Sequence, residues 1–154
     1  MILDNIVRFS HLIFSVALGL FFIYAGTKKF IPKASVKPPD NTEFMQAFEQ
    51  NKFESPVTFK MGVKALRASG FLKMVGTLQI LAGLLILLPL TRLLGLLILL
   101  PLTVNIFCFH FFMDNRPDEN VETGIFLLAN VLLILYYWEQ LKLLLVKKIQ
   151  NKIA

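Results

Sequence analysis

Cysteine occurs once in this sequence, at Cys108, so no disulfide can close within the chain and no CxxC pair exists for thiol redox chemistry. Charge is scarce, with Asp, Glu, Lys and Arg making up 17% of 154 residues. Gly-rich nucleotide-binding loops are missing, and so is any run of His, Cys and carboxylates at metal-ligand spacing. Histidine occurs only twice, at His11 and His110. Any redox centre that acts with this chain must therefore come from elsewhere, because it carries no cofactor motif of its own.

What fills the sequence instead is hydrocarbon. Hydrophobic residues make up 56% of the chain, and the mean hydropathy is +0.66. Apolar runs of ~20 residues are the length a helix needs to cross a ~30 Å hydrocarbon core. Four such runs are present, at about 9–26, 71–90, 93–113 and 123–138, and the third contains no charged residue. The fourth ends in Tyr136-Tyr137-Trp138, the aromatic composition of a membrane–water interface. Backbone groups in lipid must be satisfied within the chain, which makes each run a helix. The expectation is one all-α domain over residues 1–154, an integral membrane four-helix transmembrane bundle. The first run is long for a signal peptide and ends in Tyr24-Ala25-Gly26, a poor cleavage site, so it is expected to be retained.

Four crossings put both termini on one side of the bilayer, here side A, and the long loop between the first two spans on side B. That loop should be partly helical. Asp40 with Glu43 resembles a capping box, followed by the apolar Phe44, Met45 and Phe48. Ser55-Pro56 reads as a second helix start. Beyond it Phe59, Val63 and Leu66 share one face and Lys60, Lys64 and Arg67 the neighbouring one, which predicts a basic amphipathic helix on the membrane surface over 56–68. The net charge of +6 belongs to these membrane surfaces rather than to nucleic acid. Side B carries ten Lys and Arg and side A six, which formally puts side B in the cytoplasm. The octapeptide LLILLPLT occurs twice, at 84–91 and 96–103, but in Leu-rich sequence such a match has no functional meaning.

Polar residues inside the spans gather towards side B. Gln79, Asn105 and Asn130 each lie ~10–13 Å in from that face by helix rise, below Tyr24, Lys28, Lys73, His110, Asp114 and Glu122. A pocket opening under the long loop would give this gradient, although Gln79, close to Gly76 and Gly83, also suits hydrogen bonding between tightly packed helices. His110 and Asp114 are four apart and share a face with Thr103, so the carboxylate can reach the imidazole as a proton relay. His11 is ~25 Å away at the other face, and the two histidines cannot hold one metal or haem together.

The run Pro101-Leu102-Thr103-Val104-Asn105-Ile106-Phe107-Cys108-Phe109-His110 resembles the P-x-x-V-N-I-x-x-F-H stretch of the DoxX family of small four-helix bacterial membrane proteins. Phe22-Ile23-Tyr24-Ala25-Gly26-Thr27-Lys28-Lys29-Phe30 is similar to the end of that family's first helix. Ser69-Gly70-Phe71-Leu72 with Gly76, Gln79 and Gly83 is similar to its second. Relatives often carry Glu where this chain has Gln79, a departure from any carboxylate role there. The resemblance implies a multi-pass protein of the bacterial cytoplasmic (inner) membrane. It further implies an accessory or quinone-facing subunit of an oxidoreductase system, with quinone as the candidate ligand and a membrane oxidoreductase subunit or another copy of the chain as partner. The competing expectation is a non-catalytic membrane scaffold or a protein that handles small molecules or lipids.

Overall fold

A computed structural model describes residues 2–31 and 57–143, with isolated positions at 42, 45, 46 and 49. The expected cap at Asp40 and Glu43 lies outside the described residues. Most of those described are helical, with no strand among them. They form α1 (Ile2–Thr27), α2 (Val57–Ala68), α3 (Phe71–Leu87), α4 (Arg92–Phe109) continued by a π-helical turn (His110–Asp114), and α5 (Pro117–Leu135).

Helix ends follow local chemistry. Leu88 precedes Pro89 and turns extended (φ −87°, ψ 124°), as a pre-proline residue must. This ends α3 three residues before the Leu90 expected from hydropathy. The freed carbonyls at its end are taken up across the turn, where Thr91 Oγ1 donates to the Leu85 carbonyl (2.9 Å) and Arg92 Nε to that of Ile86 (3.0 Å). At the far end of α4 the Asn115 N–H closes on the His110 carbonyl at 2.8 Å, and Asn115 itself adopts a left-handed conformation (φ 49°). Pro117 opens α5 at a position where a missing N–H costs nothing, and Asp118 and Glu119 complement the dipole of its first turn.

Helix α1 packs on α3, α3 on α4, α4 on α5, and α5 back on α1. The α1–α3 contact is antiparallel and held close by paired glycines. A Cβ on Gly83 would lie 2.6 Å from the Gly19 carbonyl oxygen, and one on Gly26 would lie 2.6 Å from that of Gly76. Leu18, Phe22, Ala82, Ile86, Leu96, Leu99, Leu133 and Ile134 form the buried apolar centre. Ser15, Gln79, Thr103 and Asn130 are buried beside them, while Phe9, Phe14, Leu20, Leu84, Leu94 and Leu128 are exposed. An apolar exterior around a partly polar interior suits a hydrocarbon solvent and not water.

Among the described residues two helices, Asp4–Thr27 and Arg92–Asp114, are long and apolar enough to cross a membrane. Phe59–Ala68 with Phe71–Leu87 would add a third only if one span is bent by 84°. Alone, α3 has 17 residues, which reach ~25 Å. Three carboxylates, Asp118, Glu119 and Glu122, sit in the first six residues of α5. The coarser expectation, a helical chain with apolar helices fit for a membrane, is what length and composition support. The 84° bend lays α2 across the end of α4, with Phe59 against the rings of Phe109 (5.3 Å between centroids) and His110 (4.9 Å). Lys60, Lys64 and Arg67 stay exposed.

Candidate functional site

Helices α1, α3, α4 and α5 enclose a cavity of about 160 Å³ beneath the π-turn, the share of roughly five waters in the liquid. One wall is aromatic. Phe21 and Phe126 stack at 4.0 Å between centroids, with Phe22 edge-on to Phe126 at 5.9 Å. The other wall is polar and carries Lys29, Gln79, Thr103, His110, Glu119, Glu122 and Thr123.

Helical phase explains which residues arrive there. Thr103, His110 and Asp114 differ by seven and four positions, so near 100° per residue they return to one face of α4. The π-turn keeps that face towards the protein. Asp114 is 1% exposed, and Arg116 reaches back to it with Nη2 at 2.7 Å and Nε at 2.9 Å, both on Oδ2. The same Nη2 donates to Glu119 Oε1 at 3.0 Å. The hydrogen bond to Asp114 raises the Arg116 guanidinium above its ordinary range, so it stays charged at every accessible pH. Opposite this clamp, His110 Nδ1 lies 3.6 Å from Asp114 Oδ2 and 3.7 Å from Glu119 Oε2. Both distances are too long for hydrogen bonds, and they become ion pairs only when the imidazole is protonated. His110 Nδ1 is buried and has no hydrogen-bond partner among the described residues, and the Gln79 Oε1 in the same wall shares that condition.

The residues singled out from sequence divide into three groups. His110 and Gln79 line the cavity, and Asp114 adjoins it through His110. Asn130 is fully buried one layer deeper, its amide 3.3 Å from Thr103 Oγ1 in either orientation. Tyr24, Lys28, Lys73 and Asn105 are exposed and do not join them. Lys28 instead lies over the Tyr24 ring on the outer surface, 4.3 Å from its centroid. Its neighbour Lys29, seven positions after the buried Phe22, supplies the lysine of the cavity wall. Asn105 is two residues past Thr103, about 200° around the helix, so the two cannot face the same interior. Sequence reasoning missed Glu119 and Arg116 as partners of the relay pair. Their signal was the order Asp114, Arg116, Pro117, Glu119, in which Pro117 starts a helix and folds the carboxylate of its first turn back over the preceding one.

At the opposite end, His11 Nε2 lies 3.3 Å from the Leu133 carbonyl and the ring stacks on Tyr136 at 4.0 Å, with Tyr137 edge-on. Among the described residues no group of three or more His, Cys, Asp and Glu could hold a metal ion. Comparison with family models, with curated proteins and with solved structures finds no match for this chain.

Proposed function

We propose that the chain is a DoxX-like protein of a bacterial cytoplasmic membrane. It crosses four times with both termini on one side, and it binds a quinone head group in the cavity at His110 as the quinone-facing accessory subunit of an oxidoreductase. The observation that carries this proposal is the buried His110 Nδ1, which has no hydrogen-bond partner among the described residues and faces two carboxylates from the edge of a ring-sized cavity. A buried imidazole nitrogen without a partner costs free energy that a bound ligand or proton would recover. A flat head group matches the cavity's chemistry, because Phe21 and Phe126 offer π-faces while His110 and Gln79 offer groups for carbonyl oxygens.

Within this site the protein binds and orients the ring and manages its protons. With Nδ1 turned to Asp114 and Glu119, Nε2 is the nitrogen left for a ligand oxygen, and protons pass between the imidazole and the carboxylates. Arg116, half-exposed, holds both carboxylates; Asp114 is buried, and Glu119, a third exposed, is the one that water reaches. Electrons come from a partner subunit.

The test is co-purification. Lipid-soluble quinone is extracted from the purified wild type and from His110→Ala, Glu119→Gln and His11→Ala. The wild type and His11→Ala should retain bound quinone near one per chain, and the other two should lose most of it. Equal retention in all four, or loss only in His11→Ala, would remove the site and favour a scaffold without a ligand.

A further inference from the structure

Asn105 is a membrane-depth amide that no described residue satisfies. By helix rise it lies ~20 Å from Arg92 and ~13 Å from Asp114, well inside the length of a helix apolar enough to cross a bilayer. Its side chain is exposed and makes no hydrogen bond with any described residue. An exposed amide at this depth faces hydrocarbon, which offers it neither donor nor acceptor. Around it runs a shallow groove of about 620 Å³ on the outer face of α4, lined by Pro101, Val104, Asn105, Cys108, Phe109 and Phe112 among others. Pro101 has no N–H, so the Leu97 carbonyl one turn away also loses its usual helical donor. Apart from Asn105, the groove's side chains are apolar or nearly so.

We propose that this groove is the contact face of a symmetric homodimer, closed at its centre by hydrogen bonds between the two Asn105 amides. The occupant follows from the chemistry of the one polar group. A carboxamide carries a donor and an acceptor together and is therefore complementary to itself, whereas the groove presents no charge to select an ionic partner. Copies of one membrane protein share one topology, so a twofold axis between them runs along the membrane normal. Such an axis sets each residue opposite its own copy at the same depth, and Asn105 meets Asn105. The apolar walls, including Val104 (41% exposed) and Phe112 (77% exposed), then pack around the pair and exclude lipid. The proposal depends on α4 crossing the bilayer and not on what occupies the His110 cavity.

The chain carries its own probe. Cys108 is the only cysteine, lines the same groove and is three residues from Asn105, so in the dimer the two thiols come near the axis. Membranes holding the full chain are first washed with alkaline carbonate, then treated with a short bis-maleimide and run on a denaturing gel. Wild type should give a covalent species at twice 17.5 kDa, Cys108→Ser none, and Asn105→Leu about tenfold less, the loss of one interhelical amide contact. The mass of the purified detergent complex is the second measurement, dimeric for wild type and monomeric for Asn105→Leu at matched concentration. An integral but monomeric wild type overturns the dimer alone, as does a dimer that Asn105→Leu leaves unchanged. A cross-link to a protein of another mass also overturns it. Removal of the chain by carbonate overturns the membrane placement as well.

Discussion

Replacing Gly83 by Ala adds one methyl group at the closest point between α1 and α3. The new Cβ would sit 2.6 Å from the Gly19 carbonyl oxygen, 2.7 Å from Ile23 Cγ1 and 3.2 Å from the Ile23 nitrogen. Two of these neighbours are backbone atoms, which cannot turn aside as a side chain can. Restoring an ordinary contact of ~3.4 Å requires the helices to separate by most of an ångström, across an interface that Gly26 and Gly76 hold equally close one heptad away. Overpacking of this kind costs ~1–3 kcal/mol, and the backbone contact places it in the upper part of that range. Alanine's better helix propensity offsets ~1 kcal/mol, leaving a net loss of ~1–2 kcal/mol. Gly124→Ala is the matched control, because its nearest neighbour, Phe107 Cε2, stands at 3.5 Å and the methyl group fits. That variant should be neutral or gain up to ~1 kcal/mol. The two are compared by denaturant titration of the purified protein in mild detergent, followed by far-ultraviolet circular dichroism. If Gly83→Ala is as stable as Gly124→Ala, the glycine-paired packing of α1 on α3 is wrong.

Three other outcomes are expected. Arg116→Ala should lower the melting temperature by leaving the buried Asp114 without its clamp, and adding Asp114→Asn should recover part of the loss; strictly additive effects would mean that the pair is not coupled. Reporters fused to the two termini should give the same compartment, and opposite compartments would end the four-crossing topology. In a Cys108→Ser background, single cysteines at Lys60, Lys64 and Arg67 should react with a water-soluble maleimide while those at Phe59 and Gly62 stay protected; uniform labelling along α2 would show that it does not lie on the end of α4.

The helices were legible because their signals are local and repeated. Apolar runs of span length stand out over any window, and the spacing of Phe59, Val63 and Leu66 against Lys60, Lys64 and Arg67 outlines α2 before any packing is known. Hydropathy overran the end of α3 because Leu88, Pro89 and Leu90 are as apolar as the helix before them. The stop comes from the steric effect of Pro89 on Leu88, which a hydropathy window does not register. Azimuth is where the reading from sequence failed. Asn105, Tyr24 and Lys73 lie at heights compatible with the cavity but face away from it, and a phase comparison with Thr103 or Phe22 would have separated Asn105 from His110 and Lys28 from Lys29. Arg116 could not be placed from spacing, since its reach to Asp114 depends on the π-turn and the left-handed Asn115, which reverse the chain within two residues.

Photolabelling with an azido-quinone most directly tests whether a quinone head group sits at His110. The probe is irradiated with the protein in native-like membranes, with and without excess unlabelled quinone, and the modified residues are located by peptide mass spectrometry. Saturable labels should fall on the cavity wall, at Phe21, Phe22, His110 or Phe126, and should disappear in His110→Ala while persisting in His11→Ala. Labels spread over the lipid-facing residues that excess quinone does not displace, or saturable labels clustered at His11 and Tyr136, would contradict the account.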